Sequence, residues 1–471
     1  MFERQFLSAS WSVLRAGRAG PAARERLAAL QSRRLSELVA FARAQSPFYR
    51  SLYAGLPERV DSVAQLPVTT KAELMSAFAD GLTDRRVSRE AVQAFMAGQD
   101  HVGRLYLGRY AVWTTSGSSG RPGIFLHDVS ALGVYAALLV MRCWLRWLPW
   151  RGRLRLMRQG IRAAYVVATG GPFAAAEFQA LAERRFGSRS ASSRAFSVQQ
   201  PLPDLVAALN AFKPTILAGY PTAIALLADE QRLARLRVRP ELVATGGESL
   251  DPATRESLAA AFDCPVRDMY GATEFIALAS DCGQGWLHLN ADWAILEAVD
   301  AAYRPVPPGE PSHTVLLTNL ANRVQPVLRY DLGDSVTLSG EACACGSPLP
   351  AMRVEGRCDE VLAITAADGS LLRLPPLALV AEAEAVPGVE RFQIIQSAPA
   401  TLRIRLAVEP GANPVSVWTA LAARLGTFLA ARGAPGTTVE RDPEPPRRDP
   451  RTGKFRQVWS ERRGGDPRAG W

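Results

Sequence analysis

The run Trp113-Thr114-Thr115-Ser116-Gly117-Ser118-Ser119-Gly120-Arg121-Pro122-Gly123 decides how the rest of this 471-residue chain is read. Hydroxyls and glycines alternate there, so backbone N–H and side-chain O–H groups can converge on phosphate oxygens with no Cβ in the way. The run is a candidate phosphate cradle. It lacks the Gly-Lys-Ser/Thr ending of a P-loop, with Gly123 after Arg121-Pro122, which disfavours a Walker-type NTPase. By itself the run is also readable as a flexible Ser/Gly loop.

Outward from this run the chain divides into three parts. Between about 100 and 356, short apolar runs at 163–168, 215–218, 242–245 and 314–317 alternate with helical stretches at 201–212 and 252–262. That alternation predicts an α/β core with substantial sheet. Upstream, Leu35, Leu38, Val39 and Ala42 mark one helical face that Ser46-Pro47 ends, so residues 1–100 read as helical. Downstream of Gly356-Arg357, strands near 391–396 and 402–408, a helix near 415–432 and a strand near 437–441 form a small α+β unit over 357–471. A Pro/Arg-rich loop at 442–450 then presents Thr452-Gly453-Lys454, and the tail after Ser460 reads as disordered.

With 48% apolar and 21% charged residues the chain has the composition of a globular protein, which excludes a disordered one. The longest apolar stretch, 131–141, is broken by Arg142 and too short to span a bilayer, and no secretory core follows the opening MFERQFL. These features predict a cytoplasmic protein with no membrane partner. The net charge of +10 comes from arginines spread along the whole chain, not from one basic tract, so no nucleic-acid partner is expected. Lysine is scarce: only Lys71, Lys213 and Lys454 occur among 55 basic residues. A lysine on a Gly-Lys loop in such a chain points to a need for a compact, mobile point charge.

Four further motifs follow the Ser/Gly run in order: Tyr270-Gly271-Ala272-Thr273-Glu274, Arg329-Tyr330-Asp331-Leu332-Gly333-Asp334, Gly356-Arg357-Cys358-Asp359-Glu360 and Arg451-Thr452-Gly453-Lys454. This ordered set resembles the adenylate-forming acyl-ligase superfamily, and within it the branch of phenylacetate-CoA ligase, coenzyme F390 synthetase and the capsule-cluster adenylate-forming proteins. The resemblance implies a large N-terminal adenylate-forming domain of mixed sheets and helices, with a small α+β C-terminal domain on a hinge. It implies that Thr115, Ser116, Gly117, Ser118, Ser119 and Gly120 form the triphosphate loop of an ATP site, and that Gly246-Gly247-Glu248 lies on the adenine side. Tyr270 would stack near the adenine, Thr273 would bond the α-phosphate, and Glu274 would ligate Mg2+, a hard ion suited to a carboxylate beside phosphate oxygens. Asp334 would bind both ribose hydroxyls and Arg357 the ribose or phosphates. Asp359 would be the hinge about which Lys454 enters the site for adenylation and then leaves. Asp331 departs from the threonine common at its position.

The same resemblance places Tyr220, Pro221, Ala244, Thr245 and Gly271 around the acyl pocket. A second constellation, Cys282, His288, Cys343 and Cys345, joins a thiolate and imidazole around a short Gly-containing loop to a tight Cys-x-Cys pair. Three thiolates and one imidazole suit a closed tetrahedral Zn2+ site, structural because no position is left open. It resembles the structural zinc site of some members of the branch. Four unconnected residues on two loops is the alternative. Cys143, Cys264 and Cys358 read as incidental thiols, and none of the four histidines falls in a recognisable Ser-His pairing.

The expectation is therefore activation of a small carboxylic acid, an aryl one on the phenylacetate resemblance, to an acyl-adenylate. Transfer would follow to the phosphopantetheine thiol of coenzyme A or of an acyl carrier protein. The acid, the acceptor and the oligomer, a homodimer among the alternatives, stay open, as does a nucleotide-binding protein of this fold without ligase chemistry.

Overall fold

The computed structural model describes residues 2–17, 20, 22–98, 101–115, 123–167, 169, 173–186, 191–198, 200–357, 362–365, 371–374, 379–380, 382–383, 385–447 and 455–461. The Ser/Gly run connects two strands, β1 (Tyr110–Thr114) and β2 (Ile124–Asp128), which pair antiparallel from Tyr110↔Asp128 to Thr114↔Ile124. Four parallel-paired strands follow: β3 (Ile161–Val167), β4 (Ala191–Ser197), β5 (Ile216–Gly219) and β6 (Leu242–Gly246). Three of these, β3, β5 and β6, are the apolar runs predicted from sequence. They are apolar throughout because helices cover both faces of a parallel sheet. Leu217, Val243 and Val166 join a core under Pro221–Arg232 and Pro252–Phe262, while Ile216, Leu242 and Ala163 face Cys143, Trp147 and Leu156 on the other side.

The sheet continues through β7 (Val266–Ala272), parallel to β6, and then turns antiparallel with β8 (Phe275–Asp281) and β9 (Leu287–Leu289). A separate three-stranded sheet holds β10 (Ala294–Val299), β11 (Thr314–Asn319) and β12 (Tyr330–Asp331). The chain returns to the main sheet with β13 (Asp334–Leu338) and β14 (Ala351–Arg357), giving nine strands in the order β13-β14-β9-β8-β7-β6-β5-β3-β4. Beyond it come the hairpin β15 (Leu362–Thr365) and β16 (Leu371–Leu374), then β17 (Val389–Ala398), β18 (Thr401–Val408), the helix Pro414–Ala431, β19 (Thr438–Arg441) and β20 (Val458–Ser460). These elements have their own hydrophobic core, built from residues such as Leu362, Ile394, Leu421 and Val458.

The helical stretch Val129–Trp147 corrects one expectation. It runs through Arg142 without a break, by way of a π-helical turn at Leu139–Trp144, and is long and apolar enough to cross a membrane by length and composition. Its Leu132, Tyr135 and Leu138 face the core instead. Arg142 is tolerated inside because its guanidinium donates to Asp292 Oδ1 at 2.6 Å and Asn290 Oδ1 at 2.7 Å, pairing the buried charge. It also donates to the carbonyl of Val13, tying down the first helix, Phe2–Ala16.

Asp268 is a half-buried carboxyl, set into β7 opposite Thr245 of β6, whose hydroxyl donates to it at 2.7 Å. Burial pushes its carboxyl up to about 7, against the smaller opposing pulls of Thr245 and Arg255. The native state thus holds this proton more tightly than the unfolded chain. The associated stability is fully present below the ordinary carboxylate range and is lost as pH rises through about 7. Asp268→Asn should flatten the fall in melting temperature between about pH 5 and about pH 8; an unchanged slope would remove Asp268 as its source.

Candidate active site

The motif Tyr270-Gly271-Ala272-Thr273-Glu274 forms the end of β7 and the tight turn into β8. Gly271 is required by the close approach of the two strands: a Cβ there would lie 2.1 Å from the carbonyl oxygen of Ile276. The turn is held from below. His127 Nε2 lies 3.0 Å from the Thr273 carbonyl oxygen, and Asn319 Nδ2 donates to the Glu274 carbonyl at 2.8 Å. A carbonyl only accepts, so Nε2 carries the hydrogen and Nδ1 accepts from the Tyr135 hydroxyl at 3.0 Å. Tyr135 in turn accepts from Asn319 at 2.9 Å, closing the network. Burial drives His127 down to about 3, so it stays neutral, stacked on Trp113 with ring centroids 4.0 Å apart. The sequence reading passed over His127 as a lone histidine.

Across the cleft, the Tyr270 hydroxyl donates to Asp334 Oδ2 at 2.6 Å. Asp334 opens β13 and stands opposite Arg357 in the β13–β14 register, so the two candidate ribose ligands occupy neighbouring backbone positions. Asp331, the departure from the expected threonine, organises the turn before them: its carboxylate accepts from Thr314, Tyr303 and the Gly333 N–H. Gly333 there has φ +78°, in the left-handed region.

Thr115 and Gly123 clamp the base of the Ser/Gly run. Thr115 N–H donates to the Gly123 carbonyl at 3.0 Å, and Gly123 N–H to Thr115 Oγ1 at 2.8 Å. Lys71 Nζ donates to the same Oγ1 at 3.2 Å and lines the cleft. Its signals in the sequence are the scarcity of lysine and its place at the end of Leu66-Pro67-Val68-Thr69-Thr70-Lys71, a segment within the family resemblance. Ser116, Gly117, Ser118, Ser119 and Gly120 lie outside the described residues, as do Asp359 and Lys454, and of Arg357 only the backbone is described.

One cavity of about 2580 Å³ joins these groups. Lys71, Thr115, Gly247, Tyr270, Thr273, Glu274 and Asp334 line it, and so do the predicted acyl-pocket residues Tyr220, Ala244, Thr245 and Gly271. Pro221 is not among the lining residues: it is the buried first residue of the helix Pro221–Arg232, where a missing N–H costs nothing. Glu248 has an additional role that the sequence did not suggest. Its Oε2 accepts from the N–H and hydroxyl of Thr222 at 3.2 and 2.7 Å, and its Oε1 accepts from the N–H of Phe455 at 2.7 Å. The residue after Lys454 therefore docks at the rim of this cleft.

Cys282, His288, Cys343 and Cys345 come together at the β8–β9 end of the main sheet, with their ligand atoms all within 4.8 Å of one another. The Sγ atoms of Cys282 and Cys343 are 3.7 Å apart, close to the separation of about 3.8 Å that tetrahedral Zn–S bonds of about 2.3 Å impose. His288 Nδ1 donates to the Leu349 carbonyl at 2.8 Å, leaving the Nε2 lone pair facing Cys345 Sγ at 3.1 Å. The donor set fits a closed, structural zinc.

Comparison with known proteins agrees with this geometry. Residues 110–313 match the AMP-binding enzyme family. The chain is 26% identical over 358 residues to a phenylacetate-coenzyme A ligase of Thermus thermophilus, covering 72% of each chain. It is 28% identical over 141 residues to the protein CapK of Staphylococcus aureus, covering 28% of each. In fold it is similar to a 2-hydroxyisobutyryl-CoA ligase in its postadenylation state, at TM-score 0.70 and 22% identity, over 95% of this chain and 92% of that one. The same ligase in its thioesterification state gives a TM-score of 0.57. Residues 110–313 thus carry the match to the AMP-binding enzyme family, and the chain as a whole is similar to phenylacetate-coenzyme A ligase and, over a shorter stretch, to CapK.

Proposed function

We propose that this protein is an AMP-forming acid–thiol ligase acting on a small carboxylic acid, an aryl acid in the first instance. The observation that carries the reading is the convergence on one cleft of Lys71 with Thr115, the pinned Thr273-Glu274 turn, and the Tyr270–Asp334 pair. In the first half-reaction a carboxylate oxygen attacks the α-phosphorus of ATP and pyrophosphate leaves. Catalysis of that step is alignment and charge neutralisation. Asp334 accepts from the ribose diol, exchanging its bond from Tyr270, and Lys71 and Thr115 meet the triphosphate with a cation and a hydroxyl. Thr273 holds the α-phosphate, and the carboxylate of Glu274 would hold Mg2+, which neutralises phosphate charge. Lys454 contributes a further cation from the segment that Phe455 anchors on Glu248.

In the second half-reaction a thiolate attacks the acyl carbonyl and AMP leaves with the bonding electron pair. The acceptor is the phosphopantetheine thiol of coenzyme A or of an acyl carrier protein. Rotation of the small domain about Asp359 withdraws Lys454 and admits it. The setting is cytoplasmic and reducing, where closely spaced thiols hold metal instead of pairing. Cys282, His288, Cys343 and Cys345 would hold a structural zinc that braces β8, β9 and the loop before β14.

Four measurements test this reading. Pyrophosphate release over a panel of aryl, fatty and amino acids should single out an aryl acid. Lys454→Ala should lower that release by about a hundredfold or more while thioester formation from supplied acyl-AMP persists; equal adenylation rates would overturn the assignment and favour a nucleotide binder without ligase chemistry. Asp334→Ala should weaken ATP binding, whereas Glu274→Gln should lower turnover and change its magnesium dependence, two signatures that a shared structural defect would not separate. Purified protein should carry about one zinc per chain, and Cys343→Ser should lower the melting temperature more than it changes the chemical step. Metal-free protein of full stability would remove the zinc and leave the four side chains as a packed Cys/His cluster.

A further inference from the structure

Beyond this activity, two helices away from the nucleotide end of the cleft carry a surface that the ligase chemistry does not use. The first helix, Phe2–Ala16, buries Ala9 and Val13 but exposes Leu7, Trp11 and Leu14, a second apolar face at i, i+4, i+7 spacing. The helix Trp150–Gln159 repeats the pattern: it buries Gly152 and Leu156 and exposes Trp150, Leu154 and Met157, again at i, i+4, i+7. Trp11 and Trp150 are each 64% exposed and Met157 is 74% exposed. Leu14 of the first helix and Arg153 of the second line one groove, together with Leu145 and Arg146.

The second helix and its flanks carry charge of one sign, whereas the first carries Glu3 one turn before Leu7. Residues 141–162 contain seven arginines and no aspartate or glutamate. Arg142 is spent on Asp292 in the interior, but Arg151 lies over the exposed Trp150 ring at 5.3 Å and Arg153 lines the groove. Arg155 reaches Glu241, an acid from outside the stretch. Arginines interleaved with tryptophan and long aliphatic side chains form the chemistry of a helix lying in the headgroup region of an anionic bilayer.

We propose that this face docks on an anionic lipid surface. A second copy of the chain related by a two-fold axis would bring the same arginines face to face, which repels. An acidic protein would match the arginines and leave two protruding apolar ridges without partners. A bilayer matches both, with acyl chains for the ridges, phosphates for the guanidinium groups, and an interfacial level at which tryptophan settles. The expectation of no membrane partner rested on the lack of a spanning segment, and this mode of binding needs none. Leu145, Arg153 and Met157 also line the main cleft, so docking sets one arm of that cleft beside the lipid.

Full-length protein should co-sediment with phosphatidylcholine vesicles that contain phosphatidylglycerol and not with phosphatidylcholine alone, with blue-shifted tryptophan emission and binding that weakens as salt rises. Trp11→Ser combined with Trp150→Ser should weaken vesicle binding by about tenfold or more, and Arg151→Glu by about tenfold, the latter only at low salt. Both sites are solvent-facing, so the variants should keep the wild-type melting temperature and the wild-type turnover of a soluble acid, which separates this test from that of the ligase reading. Any of four results would overturn the proposal: no binding to phosphatidylglycerol vesicles at low salt, equal binding to both compositions, unchanged binding by the double variant, or wild-type self-association or capture by an acidic carrier protein that the double variant abolishes.

Discussion

The site depends on a buried polar pin beneath one turn. Strand β2 supplies His127, the helix Val129–Leu138 supplies Tyr135, and β11 supplies Asn319, and these three side chains fix the carbonyls of Thr273 and Glu274. A turn that must point a hydroxyl and a carboxylate into a cleft cannot also use them to hold itself in place. The carbonyls do that instead, in a dry network in which each donor and acceptor is matched and a missing partner would leave a buried group unsatisfied at a cost of about 1–3 kcal/mol. Neutrality is part of the device. A charged imidazole would lose the bond from the Tyr135 hydroxyl and put a cation beneath the turn.

What could be read in the sequence follows from the range of the interactions involved. The parallel strands β3, β5 and β6, the helices 201–212 and 252–262, and the later pair β17–β18 declare themselves by local apolar runs and periodicity, and the turn residues by their order along the chain, whereas β4, with serines and an arginine, does not. His127, Lys71 and the bridging role of Glu248 do not. Their partners lie 146, 44 and 207 residues away, and only the fold brings them together. Arg142 misled for the same reason: a charge inside an apolar run reads as an interruption until Asp292, 150 residues on, is seen to neutralise it. Pro221 shows the converse, a local helix-start signal taken for a pocket position.

The four candidate metal ligands occupy a middle case. Cys343 and Cys345 are legible as a pair, and Cys282 and His288 as another, yet the two pairs join only because β14 lies beside β9 in the sheet. A bond between these loops would fasten the antiparallel end of the sheet, which also carries Asp334 to the cleft on β13.

Glu248 has one oxygen committed to Thr222 and the other to Phe455. Withdrawal of Phe455 from the cleft would leave the first pair of bonds in place and pass the second to water. The carboxylate would thus keep a partner, and the Phe455 N–H contributes a charge-assisted bond to the docked arrangement, net about 1.5–3 kcal/mol. That corresponds to a population ratio of roughly ten to a hundred, enough to bias the small domain without locking it. A contact of this strength is within the reach of the binding energy of a single substrate.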